Sequence, residues 1–479
     1  MEKFVGIYEI DTKNLDESLR IDESFDLICR EFLIDEKRAK VYFVDAFMKD
    51  DILEEILKFL MKQKDIDYES FDASLFSKKY VTHTESSLEN DVEGCTVSIL
   101  SGKFCLLIDG FSEAIMIDCK SFPSRSLDEP ESDRVLRGSH DGFCETLIKN
   151  AGLIRRRLRD SKLTIKLLKA GKRSNTDMFV CFVEDKVDRK SLDTLLRKIE
   201  NIKVTTLSMG QQSIAECLTE NQWYNPFPKI RYTERPDTVA ATVSEGNIVL
   251  MVDNSPSAMI IETSIFDFLQ DSNDYYFPSA IGTYLRYVRM SVFFLTMILT
   301  PIWYLLISNP SYIPHWLDFI KIEENVTMPI FCQLIIIELL IDALKIASLN
   351  TPSSLSSSFS LIGALVLGEF AVNAKWFCSE VVLYMAFVAI ANFSQPSFEL
   401  GYAFKFSRLF LLVLTHLFGI YGFVSGIVIV VSVVAKTKTV TGKSYLYPLY
   451  PFDKEALKSL FVRRNIVNSK MQLENEKNP

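Results

Sequence analysis

From Met290 to Leu317 the chain contains no Asp, Glu, Lys or Arg, and Leu409 to Val434 is a second such run of 26 residues. A helix of about 20 apolar residues crosses the roughly 30 Å hydrocarbon core of a bilayer. Each run is long enough, and the two are expected to be the first and last spans of a membrane domain. Pro301 should kink the first, which membrane helices tolerate where neighbours satisfy the freed carbonyl. Between them lie three less regular apolar segments, 329–348, 360–372 and 381–394, the latter two shorter than a standard span.

Basic flanks set the expected orientation. Lys436, Lys438, Lys443, Lys454, Lys458, Arg463, Arg464 and Lys470 follow the last run, and Arg286 and Arg289 precede the first. The positive-inside rule puts both termini in the cytoplasm and makes the number of crossings even. Five apolar segments then leave about four spans plus a re-entrant or interfacial helix, which is tolerated where protein or water shelters its backbone. The N-terminus, "MEKFVGIYEIDTKN", has neither the basic nor the long apolar region of a signal peptide. The preceding half of the chain is expected to stay where it is made.

Inside the apolar half, Glu338, Asp342 and Lys345 recur at helical spacing, so one helix face carries all three and cannot look at lipid. Ser360, Ala364 and Gly368 place a small residue at every fourth position, and Gly422 and Gly426 form a GxxxG. Both surfaces permit close helix approach, with Glu369 beside the first. Glu338, Asp342, Lys345 and Glu369 are therefore candidates for an ion path; the alternative is that they pair with one another across a packing seam.

Residues 1–285 carry 37 basic and 50 acidic side chains, against 16 and 12 in residues 286–479. This acidic half reads as mixed α and β. "DESFDLICREFLI" and "DDILEEILKFLMKQ" have helical apolar spacing. An internal repeat organises the region. "GKFCLLIDGFSEAIMIDCKSF" (102–122) and "GNIVLMVDNSPSAMIIETSIF" (246–266) align without a gap at an offset of 144 residues, each a strand, a turn and a second strand. "TVSILSG" and "ATVSEG" before the two copies are expected to add a strand to each. The domain plan is then an α/β subdomain at 1–125, a polar, Pro-containing linker at 126–139 and a related α/β subdomain at 140–285. A polytopic α-helical membrane domain at 286–435 and a basic cytoplasmic tail at 436–479 complete it. The other reading of the repeat is a chance likeness of two hairpins.

Several function classes find no support. The nine Cys are scattered without a CxxC pair, and the four His are equally dispersed, so no disulfide framework, metal site or cofactor is expected. No phosphate-binding loop, dinucleotide fingerprint, nucleophile elbow or HExxH occurs, and no enzyme is expected.

The basic stretch "SDRVLRGSHDGFCETLIKNAGLIRRRLRD" (132–160) is the exception to the acidic balance. Asp141 is placed to cap a helix whose Phe143, Leu147, Ala151, Ile154 and Leu158 share a buried face. Arg155, Arg156, Arg157 and Arg159 crowd its last turn, where cations complement the helix C-terminus. Arg155 flanks the apolar face, within reach of an acidic element. A nucleic-acid site would want wider basic coverage and stacking aromatics, so docking between lobes or subunits is preferred over nucleic acid or anionic lipid.

The same stretch carries a resemblance. "RVLRGSHDGFCETLIKNAGLIRRRLRD", with "NPFPKIRYTERPDTVAATVSEGNIVLMVD" (225–253), "GTYLRYVR" and "LYMAFVAIANFSQPSFELGYAFKFSRLF" (383–410), resembles the spore germination receptor A-subunit family over residues 90–453. "SEVVLYMAFVAIANFSQPSFELGYA" and "GKSYLYPLYPF" (442–452) are most similar to one branch of it. The resemblance implies a protein of the endospore inner membrane with a cytoplasmic region of two α/β subdomains. It also implies a homo-oligomer that works with a small membrane partner subunit and other germination proteins, and that forms or gates an ion-conducting pore. In the branch, the implied role is assisting ion release, without nutrient binding. The family positions matched are Arg137, Gly138, Asp141, Gly142, Glu145, Arg155, Arg156, Arg157, Thr233, Glu234, Arg235, Pro236 and Asp237. Ser139-His140 departs from the Pro-Arg or Ser-Arg usual after the Gly, and any contact of that Arg is in question here. The function expected is an oligomeric ion-channel subunit; the rivals are a non-conducting scaffold for receptors or dipicolinate-release machinery and, more weakly, a secondary transporter.

Overall fold

A computed structural model describes residues 3–68, 70–82, 85–123, 135–220, 222–322, 327–350 and 371–463. The chain divides into two compact units, one of residues 1–221 with 230–262 and one of residues 222–229 with 263–479. The stretch 263–285 thus groups with the helical unit, and the second α/β lobe ends earlier than the expected 285.

The first unit holds two five-stranded antiparallel sheets. In chain order its elements are α1 (Tyr8–Leu19), β1 (Leu27–Ile34), β2 (Lys37–Val44), α2 (Asp50–Met61), α3 (Ala73–Tyr80), β3 (Ser86–Glu89), α4 (Val92–Leu100), β4 (Phe104–Ile108) and β5 (Ala114–Ile117). The second lobe continues with α5 (Leu147–Arg157), β6 (Leu163–Ala170), β7 (Thr176–Val183), α6 (Arg189–Glu200), α7 (Gln211–Leu218), β8 (Arg231–Thr233), α8 (Pro236–Ser244), β9 (Ile248–Val252) and β10 (Ala258–Ile261). Strand order is β1-β2-β4-β5-β3 in one lobe and β6-β7-β9-β10-β8 in the other.

The repeat is therefore a whole lobe rather than a hairpin. Cys105 pairs with Met116, and 144 residues later Val249 pairs with Ile260 in the same register. Every residue of β4 and β9 is buried, and in the first lobe helices cover both faces of the sheet. In the first lobe Cys105 and Leu107 face α1 and α4, while Phe104, Leu106 and Ile108 face α2 and α3. In the second, Val249 and Met251 pack with Leu147, Ala151 and Ile154 of α5 and Val239 and Val243 of α8.

Two expectations are corrected here. "DESFDLICREFLI" holds the strand β1, not a helix. Ile34 and Lys37 close a two-residue turn in which Asp35 has φ 55°, and the hairpin wins over helical spacing. "TVSILSG" and "ATVSEG" lie in helices. Asp91 caps α4 by accepting from Gly94 N at 2.6 Å, and Pro236 opens α8, where its missing N–H costs nothing.

The second unit, described by itself, contains α9 (Asn273–Tyr276), α10 (Ser279–Ser308), α11 (Ile330–Asn350), α12 (Ser379–Phe393), α13 (Phe398–Lys436) and α14 (Lys454–Phe461). Helices α10 and α13 are long and apolar enough to cross a membrane. The first uncharged run does not stay helical to Leu317; α10 ends at Ser308 and short 3-10 turns follow. The last run is not one straight helix. Gly419 leaves the helical region at φ 58° and ψ −135°, so α13 is two helices joined at a sharp bend. The expected linker 126–139 is described only from 135, and most of the apolar segment 360–372, with Ser360, Ala364, Gly368 and Glu369, lies outside the described residues.

Candidate functional site

Charge is concentrated where the helical unit is otherwise apolar. Glu338 and Asp342 lie one turn apart on α11, and Lys405 and Arg408 lie on α13. Glu338 Oε1 accepts from Arg408 Nη2 at 2.7 Å and is 3.2 Å from Lys405 Nζ, while Lys405 also pairs with Asp342. Arg408 donates further to the Thr296 carbonyl oxygen of α10 at 3.0 Å, tying three helices together. Lys405, Arg408 and Glu338 are buried, whereas the Asp342 side chain is 27% exposed. Lys345, one turn beyond Asp342, is half-buried with its ammonium 5.6 Å from the Tyr402 ring centroid.

Of the residues expected on this face, Glu338 and Asp342 come together and Lys345 flanks them. They do not pair with one another alone: Lys405 and Arg408, which sequence reasoning passed over, supply the opposite charge. The signal was present, since Lys405 and Arg408 sit three apart just before the uncharged run, where they read as its border. Gly422 and Gly426 do permit close approach, against the preceding leg of the same helix. A Cβ on Gly426 would fall 2.7 Å from Leu411 Cδ2, and one on Gly422 would overlap the Leu414 carbonyl oxygen.

The Arg-rich motif lies in the first unit. Its helix α5 begins at Leu147 with Thr146 in the cap position, not at Asp141. Asp141 instead accepts from Arg157 Nη2 at 2.9 Å, at the C-terminal turn of α5. The apolar face is buried as its spacing predicts, with Phe143, Leu147, Ala151 and Ile154 in the core and Leu158 partly buried against it. Arg155 is fully buried: Nε donates to Asp26 Oδ2 at 2.8 Å, Nη2 to Leu163 O at 2.9 Å and Nη1 to Asp160 O at 2.9 Å. Asp26 precedes β1, so this pair fastens the second lobe to the entry strand of the first. Phe25 adds its N–H to Ile165 O at 3.0 Å, and its ring lies 6.0 Å from that of Phe179. Burial pushes the nearby Cys181 thiol up to about 12, against the lowering influence of Arg155.

The other motif positions divide. Arg156 lies over the Phe122 ring at 4.7 Å. Arg235 is buried, donating to both carboxylate oxygens of Asp237 at 3.0 and 2.6 Å and to the Ser139 carbonyl at 3.1 Å. Ser139 Oγ accepts from Arg157 Nη2 at 2.7 Å, so Ser139 is held from two sides, while His140, which stands where the motif usually has Arg, is exposed. Glu234 and Glu145 contribute backbone carbonyls, to Phe143 N and Asn254 N. Thr233 ends β8 and Pro236 opens α8, Gly138 turns at φ 117°, and Arg137 is exposed with Gly142 buried beside Phe143. Among the described residues no cluster of three or more His, Cys, Asp or Glu could hold a metal ion.

Two duplicated α/β lobes, an Arg-centred core between them and long apolar helices with internal ion pairs define a membrane protein with a built soluble region. Residues 13–474 match the Bacillus/Clostridium GerA spore germination protein family, and the chain belongs to that family. It is 32% identical over 465 residues to stage V sporulation protein AF of Bacillus subtilis (strain 168), covering 96% of this chain and 94% of that protein. It is 30% identical over 380 residues to the uncharacterized membrane protein YfkQ of the same organism, covering 79% and 74%. Among solved structures, the N-terminal domain of the A subunit of the Bacillus megaterium spore germinant receptor GerK3 aligns with a TM-score of 0.42 at 21% identity, covering 54% of this chain and 96% of that one. The family is one of non-enzymatic germination proteins.

Proposed function

We propose that the chain is an oligomeric membrane subunit of the germination apparatus that lines or gates an ion path assisting ion release from the spore. The observation that carries this reading is the Glu338–Asp342–Lys405–Arg408 cluster among apolar helices. A charged side chain at the centre of a membrane helix costs about 2.5–3.5 kcal/mol on insertion scales, and apolar packing would hold three helices together without that cost. Retained intramembrane charge is a functional-site hypothesis by default. The stage V sporulation protein AF likeness supports a place in the endospore inner membrane, and the basic residues after Lys436 support cytoplasmic termini. Partners in this reading are further copies of the chain, a small membrane subunit and other germination proteins.

A second reading, a non-conducting scaffold, is favoured by one observation: the Glu338 carboxylate is matched by two cations, as a structural seam would require. Conductance separates the two. The purified full chain, alone and with a small membrane partner, should carry current across a planar bilayer, and Glu338→Gln and Asp342→Asn should change its size or ion selectivity. Absence of current, or current indifferent to both and to Glu369→Gln, would leave the scaffold.

A further inference from the structure

Composition makes α13 one long apolar helix; its contacts divide it. In a straight helix residues 411 and 426 would be about 22 Å apart. Here Gly426 packs on Leu411 and Gly422 on Leu414. Farther from the bend, Leu400, Ala403 and Phe404 share an apolar cluster with Val430 and Val434. Residues equally distant from Gly419 therefore meet, as they do only when the two legs run antiparallel.

Contacts with α10 fix the direction of the first leg. Phe404 lies 3.7 Å from Phe293 between ring centroids, Arg408 donates to Thr296 O, and Tyr304 OH lies 2.7 Å from His416 Nδ1. Both helices ascend together, so leg 398–418 runs parallel to α10 and leg 420–436 returns. At its foot, Thr437 Oγ1 accepts from Asn225 Nδ2 at 2.8 Å and Tyr445 donates to Pro228 O at 2.7 Å.

We infer that α13 is two membrane crossings, and that the bend at Gly419 surfaces at the bilayer face opposite the start of α10, with phospholipid as the partner of its exposed tip. The legs of 21 and 17 residues span about 31 and 26 Å, matching one hydrocarbon thickness each. Tyr421 at the tip is 82% exposed and Phe418 and Leu417 are exposed beside it. Trp316, 76% exposed, and Phe319 follow the upper end of α10, while Tyr284, Tyr287, Tyr450 and Phe452 are exposed at or beyond the opposite ends of α10 and α13. Exposed aromatic residues at both ends of an apolar bundle are the pattern of two membrane–water interfaces. Arg408 lies about midway along its leg, which sets the charge cluster near the bilayer centre. The double crossing is independent of whether the cluster conducts.

Single-cysteine labelling tests it on the full chain in membrane vesicles of known orientation, with exposed Cys217 and Cys332 replaced by Ser. A membrane-impermeant maleimide should reach Tyr421→Cys from one side and Tyr450→Cys from the other; Phe418→Cys serves in place of Tyr421→Cys if that variant does not accumulate. Labelling of tip and tail from the same side, or of the tip only after detergent dissolves the membrane, overturns the double crossing.

Discussion

Arg155 and Asp26, 129 residues apart, form an ion pair of 2.8 Å in which the two side chains are 0% and 1% exposed. Ser24 joins them, its hydroxyl 2.7 Å from Asp26 Oδ1 and 3.1 Å from Arg155 Nη2. A buried pair is weak evidence of net stabilisation, but breaking it strands a charge. Arg155→Ala should therefore lower stability by about 3–5 kcal/mol. Arg155→Met with Asp26→Leu should recover much of the loss. Thermal unfolding of the full chain in detergent checks this. A midpoint for Arg155→Ala equal to that of the parent would contradict the role given to the pair.

The helical cluster predicts an order of effects. Glu338→Gln leaves two buried cations with only the partly exposed Asp342, and should cost about 3–5 kcal/mol in the same assay. Asp342→Asn leaves Lys405 its contact with Glu338 and should cost less. An equal or reversed order would mean that the cluster is arranged differently in the membrane.

Asp45 provides a pH signature in the soluble region. Its backbone N–H donates to Asp26 O at 2.9 Å, and its carboxyl is held above the usual carboxylate range by burial first and by the Asp50 and Asp26 charges next. An acid whose pKa is raised on folding binds its proton more tightly when folded. It therefore weakens the fold at neutral pH, and the penalty is relieved as pH falls through the raised value. Asp45→Asn should stabilise the protein at pH 7, with the gain shrinking as the pH is lowered. A gain that is constant across that range would remove the titration from the account.

Much of the lobe architecture was legible because the repeat aligns without a gap and each copy buries every residue of its first strand. The helical spacing of 22–34 misled because an apolar run that short fits either period; the turn at Asp35 decided it. Gly419 was not legible at all. A lone Gly in an apolar helix is tolerated, and nothing local marks it as the place where packing of Gly422 and Gly426 onto Leu414 and Leu411 outweighs a straight continuation. For the charge cluster the carboxylates were visible from spacing, whereas their cations lie some seventy residues away and only tertiary structure joins them.

The shared strand order bears on how the chain is made at the ribosome. The hairpins β1-β2 and β6-β7 emerge early, but the inner edges of β2 and β7 are covered only by β4 and β9. Sixty residues separate Val44 from Phe104, and sixty-five separate Val183 from Ile248. At about 5–20 residues per second, each nascent lobe carries an unpaired edge for several seconds before its last hairpin arrives. Twice in every round of synthesis the chain thus presents a template for mispairing. An excised first hairpin without its β4 partner should be far more prone to aggregate than either finished lobe.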